Sequence, residues 1–279
     1  MNGQLWKKSM SEGKWLLAAC SLGMFAYHWL WVWLTGQISI RHMKKILTEF
    51  VPEFVQDLFP VPIEVLASST GRIAMGYEEP IVVVLVCVWA IARGSDSVSG
   101  EIGRGTMEML LAQPIRRLDV LVTHVVVTLL GSAVLAAFAW LGTYVGVATV
   151  TLEEQVSAWD YLPAAANLFC LGVFVAGLSM LASSFDRNRG RTIGLVVGFY
   201  VVQVVIKTVG LLAKDLAWLG EYSALSNFEP QILVSQFHND SQAVWSLLWQ
   251  YNGPLIYLGL AGFLVSAVIF CRRDVPAPL

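Results

Sequence analysis

Few residues in this chain have the type and spacing that covalent catalysis requires. Gly177, Leu178 and Ser179 form a G-x-S sequence, which could present a serine nucleophile within a membrane. Such a serine needs a histidine from a later membrane segment as its base. His238, the one later histidine in the sequence, falls in a loop predicted to lie outside the membrane. We therefore interpret Ser179 as a small residue that lets helices pack closely.

The acidic pairs at positions 78–79 and 153–154 are candidates for metal or acid–base chemistry. Neither pair has a histidine at the spacing of a metal site, so we interpret both as solvated charge. His28 and His124 are isolated, which favours packing or a local hydrogen bond. The 4 cysteines lack a C-x-x-C spacing and fall in apolar runs, which indicates buried thiols. We predict no metal site, cofactor or catalytic residue in this chain.

The sequence also lacks the loop that binds ATP in P-loop enzymes. There is no G-x-x-x-x-G-K-[ST] sequence, and Gly13-Lys14 has no glycine at the required distance before it. The glycines at 100, 103 and 105 follow no predicted strand, so we interpret them as flexible loop residues. This chain is therefore not expected to hydrolyse ATP by a P-loop route.

The composition indicates the class of protein in which any functional residue must be positioned. Of the 279 residues, 56% are hydrophobic and 14% are charged, and the mean hydropathy is +0.64. Soluble domains contain about 25% charged residues, so a water-soluble enzyme of this composition is excluded. A net charge of −2 gives no electrostatic surface for nucleic acid. The sequence therefore predicts an integral membrane protein.

Several apolar runs are long enough for membrane helices, each of which needs about 20 residues. Six runs qualify, at 15–35, 80–92, 120–148, 161–184, 192–213 and 254–271, and the second reaches the required length if it begins earlier, near Ile73. They are continuous rather than alternating, which indicates helices and not a barrel. We predict an all-α polytopic fold in which residues 1–279 form one transmembrane domain. Pairs of small residues at 142/146, 172/176 and 194/198 predict close helix contacts.

The distribution of basic residues predicts the orientation. With the N-terminus inside, most of the 18 lysines and arginines fall in inner segments, as the positive-inside rule requires. We therefore expect both termini to be cytoplasmic and the protein to lie in the cell (inner) membrane.

The segments outside the spans contain amphipathic sequence. We predict interfacial helices in the outer loops at 36–79 and 214–253 and in the N-terminal segment 1–14. In the first outer loop, prolines divide apolar residues of helical spacing, namely Ile40, Met43, Ile46, Leu47, Phe50, Phe54 and Leu58. The second outer loop has interfacial candidates at Trp218, Trp245, Leu247, Leu248 and Trp249.

The most distinctive segment is the inner loop at 93–118, called the coupling loop below. Residues 96–100 have turn chemistry, since Ser and Asp suit caps. Residues 106–113 predict a short helix that Pro114 ends, with Met107, Leu110 and Leu111 on one side. Such an exposed helix, with an apolar stripe and flanking charges, could insert into a partner. The alternative is an interfacial helix that only links two spans.

The coupling loop resembles that of the permease subunits of ATP-binding-cassette transporters of the type-2, exporter-like class. Their loop has the pattern S/A-G-E-x-E-x-G-T-x-E-x-L-L-x-x-P-I-x-R. The matching residues here are Ser99, Gly100, Glu101, Arg104, Gly105, Thr106, Glu108, Leu110, Leu111, Pro114, Ile115 and Arg117. Ile102-Gly103 departs from it, where charged residues are common. The long first outer loop and the basic C-terminal sequence Arg272-Arg273 extend the resemblance over most of the chain.

The resemblance implies that this loop transmits movement from a separate ATPase subunit to the spans. ATP and Mg²⁺ would bind to that partner and not to this chain. The working unit would contain two ATPases and two permeases, the second permease being identical or homologous. Export is the favoured direction. The substrate, and the choice between homodimer and heterodimer, stay open.

The fifth span carries a polar stripe that could line a substrate path. Tyr200, Gln203 and Lys207 are spaced i, i+3, i+7, so they share one helix face. The resemblance implies that the second and fifth spans line a path between two protomers. Alternatively, Lys207 extends its stem to the outer headgroups. A competing function is a non-transport membrane component, such as a sensor, an assembly scaffold or an intramembrane enzyme.

Overall fold

The structure is a computed structural model that describes residues 3–52, 61–113, 116–239 and 244–273. Within these ranges the chain is helical, without a β-strand, and six helical segments are long and apolar enough to cross a membrane. They are Gly3–Gln37, Ser69–Gly103, Arg117–Thr149, Ala158–Phe185, Arg189–Leu212 and Trp245–Arg272. The prediction of an all-α protein with six spans is confirmed.

The second span is divided by a turn ahead of Pro80. Helix Ser69–Met75 precedes the turn and helix Pro80–Ser95 follows it. Pro80 suits the first helical turn, because the missing N–H would have no partner there. The fourth span is the most buried of the six and packs most extensively on the sixth. The fifth span is the least buried.

The outer loops contain short helices. The first has Ile40–Lys45, which continues as a π-helical turn Ile46–Phe50, and then Ile63–Ala67. The second has Lys214–Leu216, Ala217–Glu221, Ala224–Asn227 and Pro230–Asn239. Phe54 and Leu58 lie outside the described residues. The location of these helices at a membrane surface stays a prediction.

Two helices differ from the predicted boundaries. Residues 3–14 are not a separate helix, because Gly3–Gln37 is one continuous helix. The sixth helix, Val244–Arg272, begins before Pro254 and contains it, so Trp245 and Trp249 belong to that helix and not to a loop. Proline is tolerated inside membrane helices, because neighbouring groups satisfy the freed carbonyl. The predicted starts of the first and sixth helices were therefore both wrong.

The prediction of a turn at residues 96–100 is wrong. The helix does not end there. Asp96–Gly100 is a π-helical segment that continues helix Pro80–Ser95, and the short α-helix Glu101–Gly103 follows it. All five residues of this turn are buried. Their polar groups bind partners from other spans, which offsets the local preference of Ser and Asp for turns. Only after Gly105, at φ +69°, does the short helix Thr106–Leu111 begin.

Small residues bring specific spans together. A Cβ atom at Gly142 would lie 2.5 Å from the Phe25 carbonyl oxygen, and one at Gly172 would lie 3.0 Å from Ser132 Oγ. These close contacts are confirmed. Gly194 and Gly198 make no such contact within the described residues, since both face open space, and a contact with another chain stays a prediction. The fourth and sixth spans make a further close contact that we did not predict. A Cβ at Gly177 would lie 2.2 Å from the Gly259 carbonyl oxygen.

Candidate functional site

The buried carboxylate of Asp96 lies at the centre of the coupling loop. It accepts a hydrogen bond from Arg104 Nη1 at 2.6 Å, and Arg189 Nη1 lies 3.3 Å away. Arg93 Nη1 lies 3.7 Å from the other carboxylate oxygen. The bond to Asp96 raises the pKa of the Arg104 guanidinium. One carboxylate thus joins the loop to the end of the second span and the start of the fifth.

Glu101 is a second buried carboxylate, one turn further along the chain. Lys8 Nζ from the first helix donates to it at 2.7 Å, and Arg104 Nη2 lies 3.1 Å away. Thr106 Oγ1 donates to both the carboxylate and the backbone carbonyl of Glu101. Glu101 therefore connects the N-terminal helix with the start of helix Thr106–Leu111.

Hydroxyl groups tie the same segment to the fourth and fifth spans. Ser183 Oγ accepts from the Ser99 backbone N–H at 2.9 Å and donates to the Ser95 carbonyl at 3.0 Å. Thr192 Oγ1 from the fifth span lies 3.0 Å from Ser99 Oγ. A hydroxyl group can both donate and accept, so these side chains bind backbone groups of the widened turn and bind each other.

Two glycines of the coupling loop have specific structural roles. A Cβ at Gly100 would lie 2.5 Å from Asp96 Oδ1, so glycine leaves room for the carboxylate. Gly105 has φ +69°, which glycine adopts without the steric cost of a Cβ. We expected Gly100 to be a flexible loop residue, but it packs closely against Asp96. Gly105 forms the turn before helix Thr106–Leu111.

Two residues of the apolar stripe, Met107 and Leu110, face inward, whereas we expected the stripe to insert into a partner. Met107 and Leu110 are buried, and Leu110 packs with Leu5 and Val120. The exposed residues are Glu108 and Met109, the latter 65% exposed. The stripe turns inward because the N-terminal helix and the third span supply an apolar surface beside it. Pro114 and the side chain of Leu111 lie outside what the structure describes.

The end of the coupling loop contacts the end of the sixth span. Arg117 Nη1 donates to the Phe270 and Arg273 carbonyls, at 3.3 and 2.5 Å. Arg273 Nη1 donates in turn to the Ser184 carbonyl at 2.7 Å. These arginines satisfy carbonyl groups that the ends of two spans leave free.

One group of carboxylates within the described ranges could hold a metal ion by its geometry. It consists of Glu12, Asp96 and Glu101, whose carboxylate oxygens lie within 4.8 Å of one another. Lys8 lies 3.7 Å from Glu12 and also binds Glu101, and three arginines surround Asp96. These cations already compensate the acidic charge. The cluster therefore functions as an ion-pair network in this structure.

The three candidates for a substrate path do not share one environment. Tyr200 lines a groove of about 360 Å³ with residues of the second span such as Val84 and Cys87. Gln203 is buried, and its Oε1 accepts from the Ala224 backbone N–H at 2.8 Å. Tyr200 therefore faces a cavity, whereas Gln203 binds the second outer loop.

Lys207 contacts the second outer loop through its ammonium group. Its Nζ lies 2.6 Å from Glu229 Oε1 and donates to the Leu225 and Phe228 carbonyls, at 3.2 and 3.3 Å. The two predicted roles of Lys207 stay predictions. The ammonium group fixes the second outer loop onto the fifth span.

The residues set aside as catalytic candidates have structural partners. Ser179 Oγ donates to the Ile91 carbonyl at 3.2 Å, which confirms the packing interpretation. His28 Nδ1 lies 2.9 Å from the Met24 carbonyl. Glu78 is not simply solvated, because it accepts from the Gln231 N–H and side-chain amide, at 3.1 and 2.9 Å. Glu154 is exposed and accepts from the Ser69 N–H at 2.9 Å.

The sequence interpretation missed the central role of Asp96, its partner Arg189 and the partner of Glu101, Lys8. One signal was available, since Arg93 and Asp96 are three residues apart and would face each other on a continuing helix. Lys8 and Arg189 come from distant segments, and no local spacing identifies them.

The chain matches a known protein family over most of its length. The family model described as "ABC-2 family transporter protein" matches residues 30–274. No curated protein matches this chain in sequence. The family match begins near the end of the first span, Gly3–Gln37, and includes the other five spans and the whole coupling loop.

Proposed function

Because this chain belongs to the ABC-2 family of transporter proteins and supplies the membrane part of an ABC transporter, we propose that it exports its substrate using ATP hydrolysed by a separate subunit. ATP and Mg²⁺ bind to that subunit. Two ATPase subunits act on a pair of permease chains, identical or homologous. Residues 1–279 form one permease domain.

The observation that carries this proposal is the ion-pair network around Asp96 and Glu101. Lys8, Arg93 and Arg189 join these two carboxylates to the first, second and fifth spans, and Thr106 joins Glu101 to the short helix. A force applied to the exposed residues Glu108 and Met109 would thus reach several spans at once. A loop that merely linked two spans would need no such network.

The proposed roles of the loop residues follow from these contacts. Glu108 and Met109 contact the ATPase. Glu101, Arg104, Thr106 and Ser99 transmit the movement, Gly100 and Gly105 shape the segment, and Leu110 holds the helix against the protein. Leu111, Pro114 and Arg117 complete the loop and its return to the third span.

We place this loop and both termini in the cytoplasm, and the protein in the cell (inner) membrane. Support comes from the basic residues that cluster at one end of the spans, where Lys8, Arg93, Arg117, Arg189 and Arg273 lie close to the loop or the sixth span. Such a cluster is typical of the cytoplasmic side.

We propose that the groove lined by Tyr200 is part of the substrate path. It lies between the second and fifth spans, and its lining is apolar except for Tyr200 and Arg189. Gln203 and Lys207 support this path indirectly by holding the second outer loop in place.

The test is purification of the full chain from its own membranes, followed by ATPase assay of the complex. We expect a P-loop ATPase to co-purify and substrate to stimulate it. The double variant Glu108→Ala/Met109→Ala should lose this stimulation while its unfolding temperature stays unchanged. Absence of a P-loop partner, or a double variant with normal stimulation, would contradict the proposal and favour a sensor or scaffold.

A further inference from the structure

A large apolar groove separates the first and third spans over part of their length. Near their C-terminal ends the two helices touch, since a Cβ at Gly146 would lie 2.7 Å from Val32 Cβ. Towards the N-terminal end of the first span, a cavity of about 880 Å³ lies between residues 10–22 and 127–138. Its volume is in the range of small-molecule sites, about 300–1,000 Å³.

The groove opens on the side of the protein that faces lipid. Leu22, Leu130 and Val134 line it and are exposed, at 65%, 54% and 36%. The floor is Trp89, a buried side chain that packs against Gly13 and Gly131. The groove is therefore accessible from the hydrocarbon and closed towards the core.

Polar groups occur at two positions of this apolar lining. Ser21 is buried, and its hydroxyl has no hydrogen-bond partner among the described residues. Lys14 is exposed at the N-terminal rim, with its Nζ 5.5 Å from the Trp15 ring centroid. Lys7 lies two turns before Lys14 on the same face. No ion pair in the described ranges involves either lysine.

We propose that this groove binds an anionic phospholipid of the leaflet on the Lys14 side. An acyl chain lies along Leu22, Val134 and Trp89, where it completes the packing of an otherwise open apolar surface. The phosphate group binds Lys14, with Lys7 beside it, and a lipid ester can accept a hydrogen bond from Ser21. The charge of the rim selects an anionic headgroup, and the apolar walls select a lipid rather than a soluble anion.

This site is distinct from the coupling loop and from the groove at Tyr200. It shares the N-terminal helix with the ion-pair network, because Lys8 and Ser9 bind Glu101 and Arg93. A bound lipid would therefore support the helix that anchors the coupling loop. The inference requires membrane insertion but not an ATPase partner.

Native mass spectrometry of the full chain in detergent, titrated with phosphatidylglycerol and with phosphatidylcholine, tests the proposal. We expect preferential retention of phosphatidylglycerol. Lys14→Gln should weaken that retention about fivefold, which corresponds to about 1 kcal/mol for one lysine at an anionic surface. Phosphatidylcholine retention should change little, and Lys44→Gln, in the first outer loop, is the matched control.

A second pair of variants tests the groove itself. Ala137 is exposed and lines it, so Ala137→Phe should fill the space and weaken retention of both lipids. Ala261→Phe, on an exposed face of the sixth span, should leave retention unchanged. Equal retention by wild type and Ala137→Phe would overturn the proposal, as would equal effects of Lys14→Gln on the two lipids. A change of oligomeric mass in Ala137→Phe without lipid loss would assign the groove to a second protein chain instead.

Discussion

Asp96 illustrates how single residues determine the coupling loop. Its carboxylate is 5% exposed and faces three arginines, of which Arg93 is 3% exposed. Burying such charges is unfavourable unless they are paired and hydrogen-bonded. The network is therefore stable only as a unit, and loss of its central carboxylate leaves buried positive charge without compensation.

Asp96→Asn should be strongly destabilising for this reason. Breaking a buried ion pair by removing one partner costs about 3–5 kcal/mol. The measurement is the unfolding temperature of the purified protein in detergent. Glu108→Gln is the control, because Glu108 is exposed and no ion pair within the described residues includes it. Similar unfolding temperatures for the two variants would show that the network does not stabilise the fold.

Part of this network was predictable from the sequence. Glu101, Arg104 and Thr106 were selected as loop residues, and they do contact each other. Lys8, which pairs with Glu101, and Arg189, which pairs with Asp96, were not selected, because each comes from a helix distant in sequence. Residue types in a local pattern can indicate that a segment matters, but not which distant side chains compensate its charges.

At the scale of elements, the short helix Thr106–Leu111 has an inner and an outer face. Leu110 on the inner face packs with Leu5 and Val120, whereas Met109 is exposed. The sequence predicted the helix and its apolar stripe but assigned the stripe to a partner. Amphipathicity identifies an apolar face, and only tertiary structure shows which surface covers it.

The two faces can be compared by truncating one residue on each. Leu110→Ala should destabilise the protein by about 2 kcal/mol, the lower part of the range for a buried leucine. Met109→Ala should leave stability unchanged, since its side chain contributes little packing. Chemical unfolding of both variants measures the difference. Equal destabilisation would mean that the helix does not pack as described.

Helix boundaries show where local sequence is insufficient. Pro254 and the Ser and Asp residues of 96–100 all suggested helix ends, yet the helices continue through them. At residues 96–100, hydroxyl groups of the fourth and fifth spans bind the segment and support its helical conformation. The apolar spans themselves were predictable, because the length and continuity of a hydrophobic run depend on no distant partner.

At the scale of the whole molecule, the spans differ in how far they are covered. The fourth span is central, while the fifth is largely exposed and carries Gly194 and Gly198 facing open space. An exposed face with small residues is suited to close contact with another helix. The second permease chain of the proposed transporter would supply that helix.

Paired glycine variants distinguish packing within a chain from contact between chains. Gly259→Leu should impair folding, because a Cβ there would lie 2.6 Å from the Val173 carbonyl oxygen. Gly198→Leu should leave the monomer stable and reduce dimer formation. Light scattering in detergent and thermal unfolding measure the two effects. A Gly198→Leu variant that dimerises as wild type does would exclude this face of the fifth span as the contact between protomers.

The central claim is that the outer face of helix Thr106–Leu111 contacts an ATPase subunit. The most direct measurement is site-specific photo-crosslinking in native membranes, with a photoreactive amino acid at position 109. Position 130, which is exposed on the third span, is the control. We predict that position 109 crosslinks to a P-loop ATPase and position 130 does not. A crosslink to such an ATPase from neither position, or from both equally, would contradict the account.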